Sequence, residues 1–292
     1  MIRWMRFKWL YFLISAIVIV PGLVSLLMFG LRPAIDFTGG TLLEYRFDQE
    51  ITSQQINDFL KEKDFEVYSI QSSGERTYLL RLPILEKEKI LEIENLLTEK
   101  TGSKPQEVRF EVVGPTLGRE LLIKTIIAVI LAAGFILSYV AWRFKNTKFG
   151  VCAILALFHD ILVLLGAFSL MGHFWKLEVD TLFVTAMLTI LSLSVYDTIV
   201  VYDRIRESQK LLPDIPFESV VNKAITETLP RSLNTSLTLV FVLVALILLG
   251  GVTIKWFAVA LLIGAISGTY SSPFNAVPLL VLWENLSQRR KK

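Results

Sequence analysis

The chain has 292 residues, of which 53% are hydrophobic, and a net charge of +3. That is more apolar surface than a soluble domain of this length has use for, so the membrane class comes first. The basic clusters each flank an apolar run, which argues against a nucleic-acid-binding face. A lone cysteine, Cys152, rules out an intramolecular disulfide. With His159 and His173 as the only histidines, no zinc-like ligand set can be drawn.

Arg3, Arg6 and Lys8 precede an apolar run over 9–30. The run has the roughly 20 residues a bilayer demands. It exceeds the ~7–15 of a signal-peptide core, no A-x-A-like site follows it, and it reads as a retained anchor.

Residues 31–120 lack such a run and are numerous enough for a small domain. They read as strand 40–47, helix 53–63 behind a Thr52/Ser53 cap, strand 65–72, a turn at Ser73-Gly74 and strand 76–82. Helix 86–100, stopped by Gly102, and strand 107–113 complete the set. Ile90, Ile93, Leu96 and Leu97 recur on one helical face. The order strand–helix–strand–strand–helix–strand predicts a ferredoxin-like split βαβ unit. Glu and Lys alternate along its helices as on a solvated surface, and nothing there looks catalytic.

Five more apolar runs follow, at 121–142, 149–171, 179–202, 233–251 and 256–283. The predicted fold is therefore an α-helical membrane protein with six transmembrane helices and one extracytoplasmic α+β ferredoxin-like domain. Arg143, Lys145, Lys148, Arg204, Arg206, Lys210, Lys223, Arg231, Arg289, Arg290, Lys291 and Lys292 fall on the same side as the first cluster. The opposite short loops hold only Lys176 and Lys255. The positive-inside bias then puts both termini in the cytoplasm. The expected divisions are an anchor at 1–30, the exported domain at 31–120, a helical part at 121–283 and a basic tail at 284–292.

Within the helical part, the connection 203–232 carries Phe217, Val220, Val221, Ala224, Ile225 and Leu229 at helical spacing before Pro230. The pattern predicts a short amphipathic helix ended by that proline, either packed on the surface or acting as a lever between spans four and five.

Ionisable groups inside spans are costly and are functional candidates by default. Asp160, beside His159, lies near the middle of span three, and Asp197 about a turn and a half inside the cytoplasmic end of span four. Asp203 marks that end and reads as a wet interface charge. Arg231 opens span five, and Thr185, Thr189, Ser192, Ser194, Tyr196 and Thr198 make span four too polar for a lipid-facing helix. If spans four and five are neighbours, Asp197 and Arg231 meet at one depth. An arginine favours the ionised carboxylate while desolvation favours the protonated one, so Asp197 is either a proton carrier or half of a fixed ion pair. Asp160 is either a second relay member or a hydrogen-bonding device between helices. A hydrolase reading of His159-Asp160 lacks a nucleophile at a workable spacing, so no enzyme activity is expected. Gly264, Gly268 and Ser272 recur every four residues and predict close approach of another helix, from this chain or from a partner.

Several blocks resemble the SecD/SecF family of the RND transporter superfamily, and its SecF branch in particular. They are Ile35-Asp36-Phe37-Thr38-Gly39-Gly40, Val113 to Leu121 (VGPTLGREL), His159-Asp160, Ser194 to Glu207 (SVYDTIVVYDRIRE) and Arg231 to Ser236 (RSLNTS). Tyr202 stands where the family often has phenylalanine. The resemblance implies half of an RND-type bundle in the bacterial inner membrane, completed by a separate SecD chain beside the SecY–SecE–SecG channel, with YajC as a further companion. It implies a translocating preprotein as client, membrane lipid as surroundings, no nucleic acid, and use of the proton gradient to draw the client outward after the ATP-driven step. It assigns proton conduction to Asp197 and Arg231. The alternative is a proton-coupled exporter of a small molecule or lipid, for which 31–120 is small and polar; a third reading is a passive assembly scaffold.

Overall fold

The structure, a computed structural model, describes residues 2–144 and 146–289. Lys145, Arg290, Lys291 and Lys292, counted above among the cytoplasmic charges, lie outside the described residues. The chain divides into two units. One comprises Arg32–Ile127 with Phe174–Thr181; the other comprises Met1–Leu31, Ala128–His173 and Leu182–Lys292.

The second of these opens with a 3₁₀ turn, Trp4–Phe7, leading into α1 (Lys8–Phe29). The α+β unit follows, with α2 (Ile35–Thr38), β1 (Gly40–Arg46), α3 (Ser53–Lys61), β2 (Ser69–Gly74), β3 (Thr77–Leu82), α4 (Lys87–Thr101) and β4 (Gln106–Val113). The four strands lie in the order β2-β3-β1-β4, all antiparallel, which is the ferredoxin-like arrangement. Alternation along the strands sends Leu43, Tyr45, Leu80 and Leu82 to one face, where they pack against Ile56 and Leu60 of α3 and Ile93 and Leu97 of α4. Thr52 starts α3 through a reciprocal capping box with Gln55, and Gly102 ends α4 in the left-handed conformation.

β2 begins four residues later than the alternation 65–72 suggests. The Phe65 amide is drawn back to Leu60 O at 3.1 Å, and ladder bonding to Arg81 O starts only at Tyr68. The β2–β3 turn correspondingly has its tip at Glu75-Arg76, with Arg76 at a φ of 54°.

Two features tie this unit together away from its core. The Gly39-Gly40 corner has φ values of 77° and 141°, in the region that favours glycine. It lies so close to the start of α5 (Pro115–Arg143) that a Cβ on Gly118 would sit 2.9 Å from the Gly39 nitrogen. Two sequence blocks far apart in the chain therefore form one backbone-to-backbone joint. The segment 174–181 joins the unit as well. Val179 exchanges backbone hydrogen bonds with Arg32 and Ala34, and Glu178 forms an ion pair with Arg81 at 2.5 Å.

The remaining helices are α6 (Thr147–Trp175), α7 (Thr181–Leu211), α8 (Phe217–Leu249), α9 (Val252–Ser271) and α10 (Val277–Arg289). A π turn, Ser272–Ala276, joins the last two at Pro273, whose missing N–H cannot continue the α ladder. Among the described residues, six stretches are long and apolar enough to cross a membrane: Trp4–Phe29, Pro115–Arg143, Thr147–Trp175, Thr181–Leu211, Phe217–Leu249 and Ile254–Gln288.

The connection between the fourth and fifth of these departs from expectation. No separate helix ends at Pro230. α7 continues to Leu211, a short loop turns the chain, and α8 runs through Pro230 without interruption. The proline removes one intrahelical hydrogen bond. Against that, Val221, Ala224 and Ile225 before it are fully buried in one cluster with Phe149, Tyr202 and Ile205. Burial of that stripe outweighs a single lost bond.

Candidate functional site

Three small residues set the spacing between α7 and α9. A Cβ on Gly264 would overlap the Ile190 side chain, and one on Gly268 would come within 3.3 Å of Ser194 Cβ. Ser272 Oγ lies 2.9 Å from Thr198 Oγ1. Both rows step by four residues, so two helical faces of this chain mesh directly. The helix met by Gly264, Gly268 and Ser272 is thus α7.

That close approach brings serines to Asp160, which is completely buried on α6. Its Oδ2 accepts from Ser194 at 2.5 Å and from Ser271 at 2.7 Å. Its Oδ1 accepts from Ser267 at 2.6 Å and faces His159 Nδ1 at 3.0 Å. Two partners on each oxygen fill the roughly four acceptor positions of a carboxylate. His159 Nε2 in turn meets Ser15 of α1 at 3.1 Å, and Ser15 donates to Asn275 in the π turn at 2.9 Å. Asp160 is therefore hydrogen-bonded within this chain. Its partners come from α7 and α9 of its own bundle, helices that local sequence cannot show to be adjacent.

Asp197 has different surroundings. It is half-buried, and its Oδ1 accepts one hydrogen bond, from Ser232 of α8 at 3.3 Å. Arg231, one residue earlier on α8, donates from Nη2 to the Tyr196 hydroxyl at 3.0 Å. Among the described residues Arg231 and Asp197 form no ion pair. The expected pair does share a depth, because α7 and α8 are neighbours, but the guanidinium is turned to the adjacent tyrosine. Ser232 and Tyr196 are the two groups whose roles sequence reasoning missed; each sits next to a residue it did single out. Asp197 lines a pocket of about 50 Å³ with Ser194, Tyr196, Ser236 and Gly268, room enough for a water molecule.

Arg231 also lines a larger cleft of about 730 Å³ with Arg143, Asp203, Arg204 and Glu227. There Arg143 pairs with Asp203, and Arg204 with Glu227 at 2.6 Å. Asp203 is thus an ion-paired end charge, separate from the carboxylates further along the spans. In the α+β unit, Asp36 of the Ile35–Gly40 block accepts from the Thr181 amide at 3.1 Å and from its hydroxyl at 2.8 Å. It so satisfies a donor at the first residue of α7, the helix that further along carries Asp197.

Among the described residues, six helices long and apolar enough to cross a membrane, in a chain that also carries a ferredoxin-like domain, define a multi-pass membrane protein. The family profile for the C-terminal part of the protein export membrane proteins SecD and SecF matches residues 92–286, and the SecD/SecF GG motif matches residues 24–51. A protein translocase subunit SecF from Thermobaculum terrenum is 42% identical, over 98% of this chain and 95% of its own. A protein translocase subunit SecDF from Thermus thermophilus is 40% identical over 90% of this chain. The crystal structure of SecDF from the same organism, described as a translocon-associated membrane protein, superposes with a TM-score of 0.86 at 37% identity. It is matched over 96% of this chain, which spans 38% of the SecDF chain. The chain belongs to the SecD/SecF family of protein export membrane proteins.

Proposed function

We propose that this chain is an accessory subunit of the Sec protein-export machinery that, together with SecD, uses the proton gradient to complete translocation of secreted proteins. The observation that carries the proton part is the contrast between the two carboxylates. Asp160 has its hydrogen-bonding capacity filled by its own bundle and serves as a clasp among α6, α7 and α9. Asp197 has one weak partner, a water-sized pocket and a guanidinium close by that is engaged elsewhere. A group in that position can take up and release a proton with small rearrangements.

The reading extends to partners and place. Tyr196, Arg231 and Asn234 are exposed on the α7–α8 side of this chain, a costly arrangement against lipid. A second bundle covering that face relieves the cost, and SecD, fused to the equivalent of this chain in the SecDF relatives, is the partner that fits. The SecY–SecE–SecG channel, YajC and the emerging preprotein complete the assembly, in the bacterial inner membrane with both termini cytoplasmic. One proton crossing ~100 mV releases about 2.3 kcal/mol, which biases a two-state element roughly 40-fold.

The test is to deplete the chain from living cells and follow maturation of exported proteins by pulse-chase, with and without an uncoupler. Slower maturation on depletion, with the difference abolished when the gradient is collapsed, supports the proposal. Export that is unaffected by depletion overturns it.

A further inference from the structure

The 3₁₀ turn Trp4–Phe7 is held firmly against α8. Met5 is fully buried and its amide donates to Asn222 Oδ1 at 3.0 Å, while Trp4 Nε1 donates to Thr226 Oγ1 at 2.9 Å. Between this turn, the loop after α7 and the first turns of α8 lies a cleft of about 720 Å³. Arg3, Arg6 and Lys223 line it, and Ile2 and Ile215 add apolar surface. Glu218 is the one carboxylate among its described lining residues. None of the three cations forms an ion pair among the described residues. This is unlike Arg143, Lys148, Arg204 and Arg206 at other helix ends, which all do.

Depth narrows the choice of ligand. The apolar run of α1 begins at Trp9, and at ~1.5–2 Å per residue through the preceding 3₁₀ turn Arg6 stands about 5–6 Å beyond it, with Arg3 ahead of that turn. A bilayer's headgroup layer occupies about 5–7 Å outside each edge of the hydrocarbon. Arg3 and Arg6, with Lys223 near Glu227 but not ion-paired to it among the described residues, give this apolar-sided cleft an excess of positive charge that matches a phosphate attached to an acyl-bearing backbone.

We infer that the cleft formed by Arg3, Arg6 and Lys223 binds the phosphate of an anionic phospholipid headgroup, phosphatidylglycerol being the simplest. The bound lipid bridges the first helix to the α7–α8 connection and helps to hold the turn Trp4–Phe7 in place.

The test uses the full chain purified in neutral detergent, with lipid retention read by native mass spectrometry after addition of phosphatidylglycerol, phosphatidylcholine or soluble glycerol phosphate. One molecule of phosphatidylglycerol is expected to be retained in preference to phosphatidylcholine. The variant R3Q/R6Q/K223Q is expected to retain at least about tenfold less. A control of equal charge loss, K63Q/K87Q/K89Q in the α+β unit, should retain the wild-type amount. If the triple variant unfolds, K223Q alone should give a partial loss at unchanged thermal stability. Equal loss in the control, or no preference over phosphatidylcholine, overturns the site. Retention of glycerol phosphate as strong as that of the lipid assigns the cations to a soluble phosphate and overturns the lipid.

Discussion

Arg231 donates to the hydroxyl of Tyr196 at 3.0 Å, although Tyr196 is the immediate neighbour of Asp197 on α7. The hydrogen bond keeps the guanidinium off the carboxylate, so Tyr196 sets how strongly the arginine favours the ionised form of Asp197. Replacing Tyr196 with Phe frees Arg231 to swing toward Asp197. Export by Y196F should become less efficient at the less acidic end of the workable external pH range, where the carboxylate no longer takes up a proton from outside, while membrane levels of the chain stay normal. Pulse-chase export as a function of pH checks this; a profile superimposable on wild type contradicts a positioning role for the tyrosine.

The contact between Gly264 and Ile190 is a packing relationship with a measurable size. G264A places a methyl group where Ile190 already lies and should destabilise the bundle by about 1–3 kcal/mol. Shortening the opposite side chain in the double variant G264A/I190A should restore part of that loss. Thermal unfolding in detergent measures both, and additive losses would deny the contact.

Asp160 should behave as a structural clasp. D160L leaves the hydroxyls of Ser194, Ser267 and Ser271 buried without their acceptor, at about 1–3 kcal/mol for each unsatisfied group. Little folded protein should be recovered. D160N keeps an acceptor oxygen and should fold and insert with a smaller loss. Comparison of monodisperse yield for the two variants decides the point; equal yields would show that the serine cage does not depend on the carboxylate.

In the α+β unit the ion pair of Arg81 with Glu178 has only 13% of either side chain exposed. Burial pushes the Glu178 carboxyl above its ordinary range in spite of the Arg81 beside it, and burial pulls the Arg81 guanidinium down. A carboxyl whose value is raised on folding contributes stability that is fully present below the ordinary carboxylate range. That contribution is lost as pH rises through the raised value. E178A should cost about 3–5 kcal/mol by leaving Arg81 buried and unpaired, and R81M/E178M should recover most of it. Hydrogen exchange of β3 amides in the full chain reads both outcomes, and pH-independent protection in E178Q would confirm the source of the pH term.

Local chemistry made much of this legible in advance. Apolar runs marked the six spans, the Thr52/Ser53 cap and Gly102 marked helix ends, and the order of strands and helices marked the ferredoxin-like unit. What stayed hidden depends on contacts between distant segments. Nothing near Asp160 shows that Ser267 and Ser271, over a hundred residues later, will enclose it. Pro230 is a stop signal in any short window, and only the buried stripe from Val220 to Ile225 shows why the helix passes through it. Likewise Glu178 looks like a charge in a short loop until Arg81 is set beside it. Asp197 and Arg231 could be singled out because charge within a span is rare; the contacts that Tyr196 and Ser232 make with them could not, since hydroxyls are common along α7 and α8.

The central claim is that Asp197 carries protons for protein export, and its most direct test is the isosteric neutral variant D197N. Cells relying on D197N, with membrane levels of the chain confirmed by blot, should accumulate precursors of exported proteins in a pulse-chase. D197E, which keeps an ionisable group, should retain part of the activity. Normal maturation kinetics in D197N at full protein level would contradict the account and leave Asp197 as a structural residue of a passive subunit.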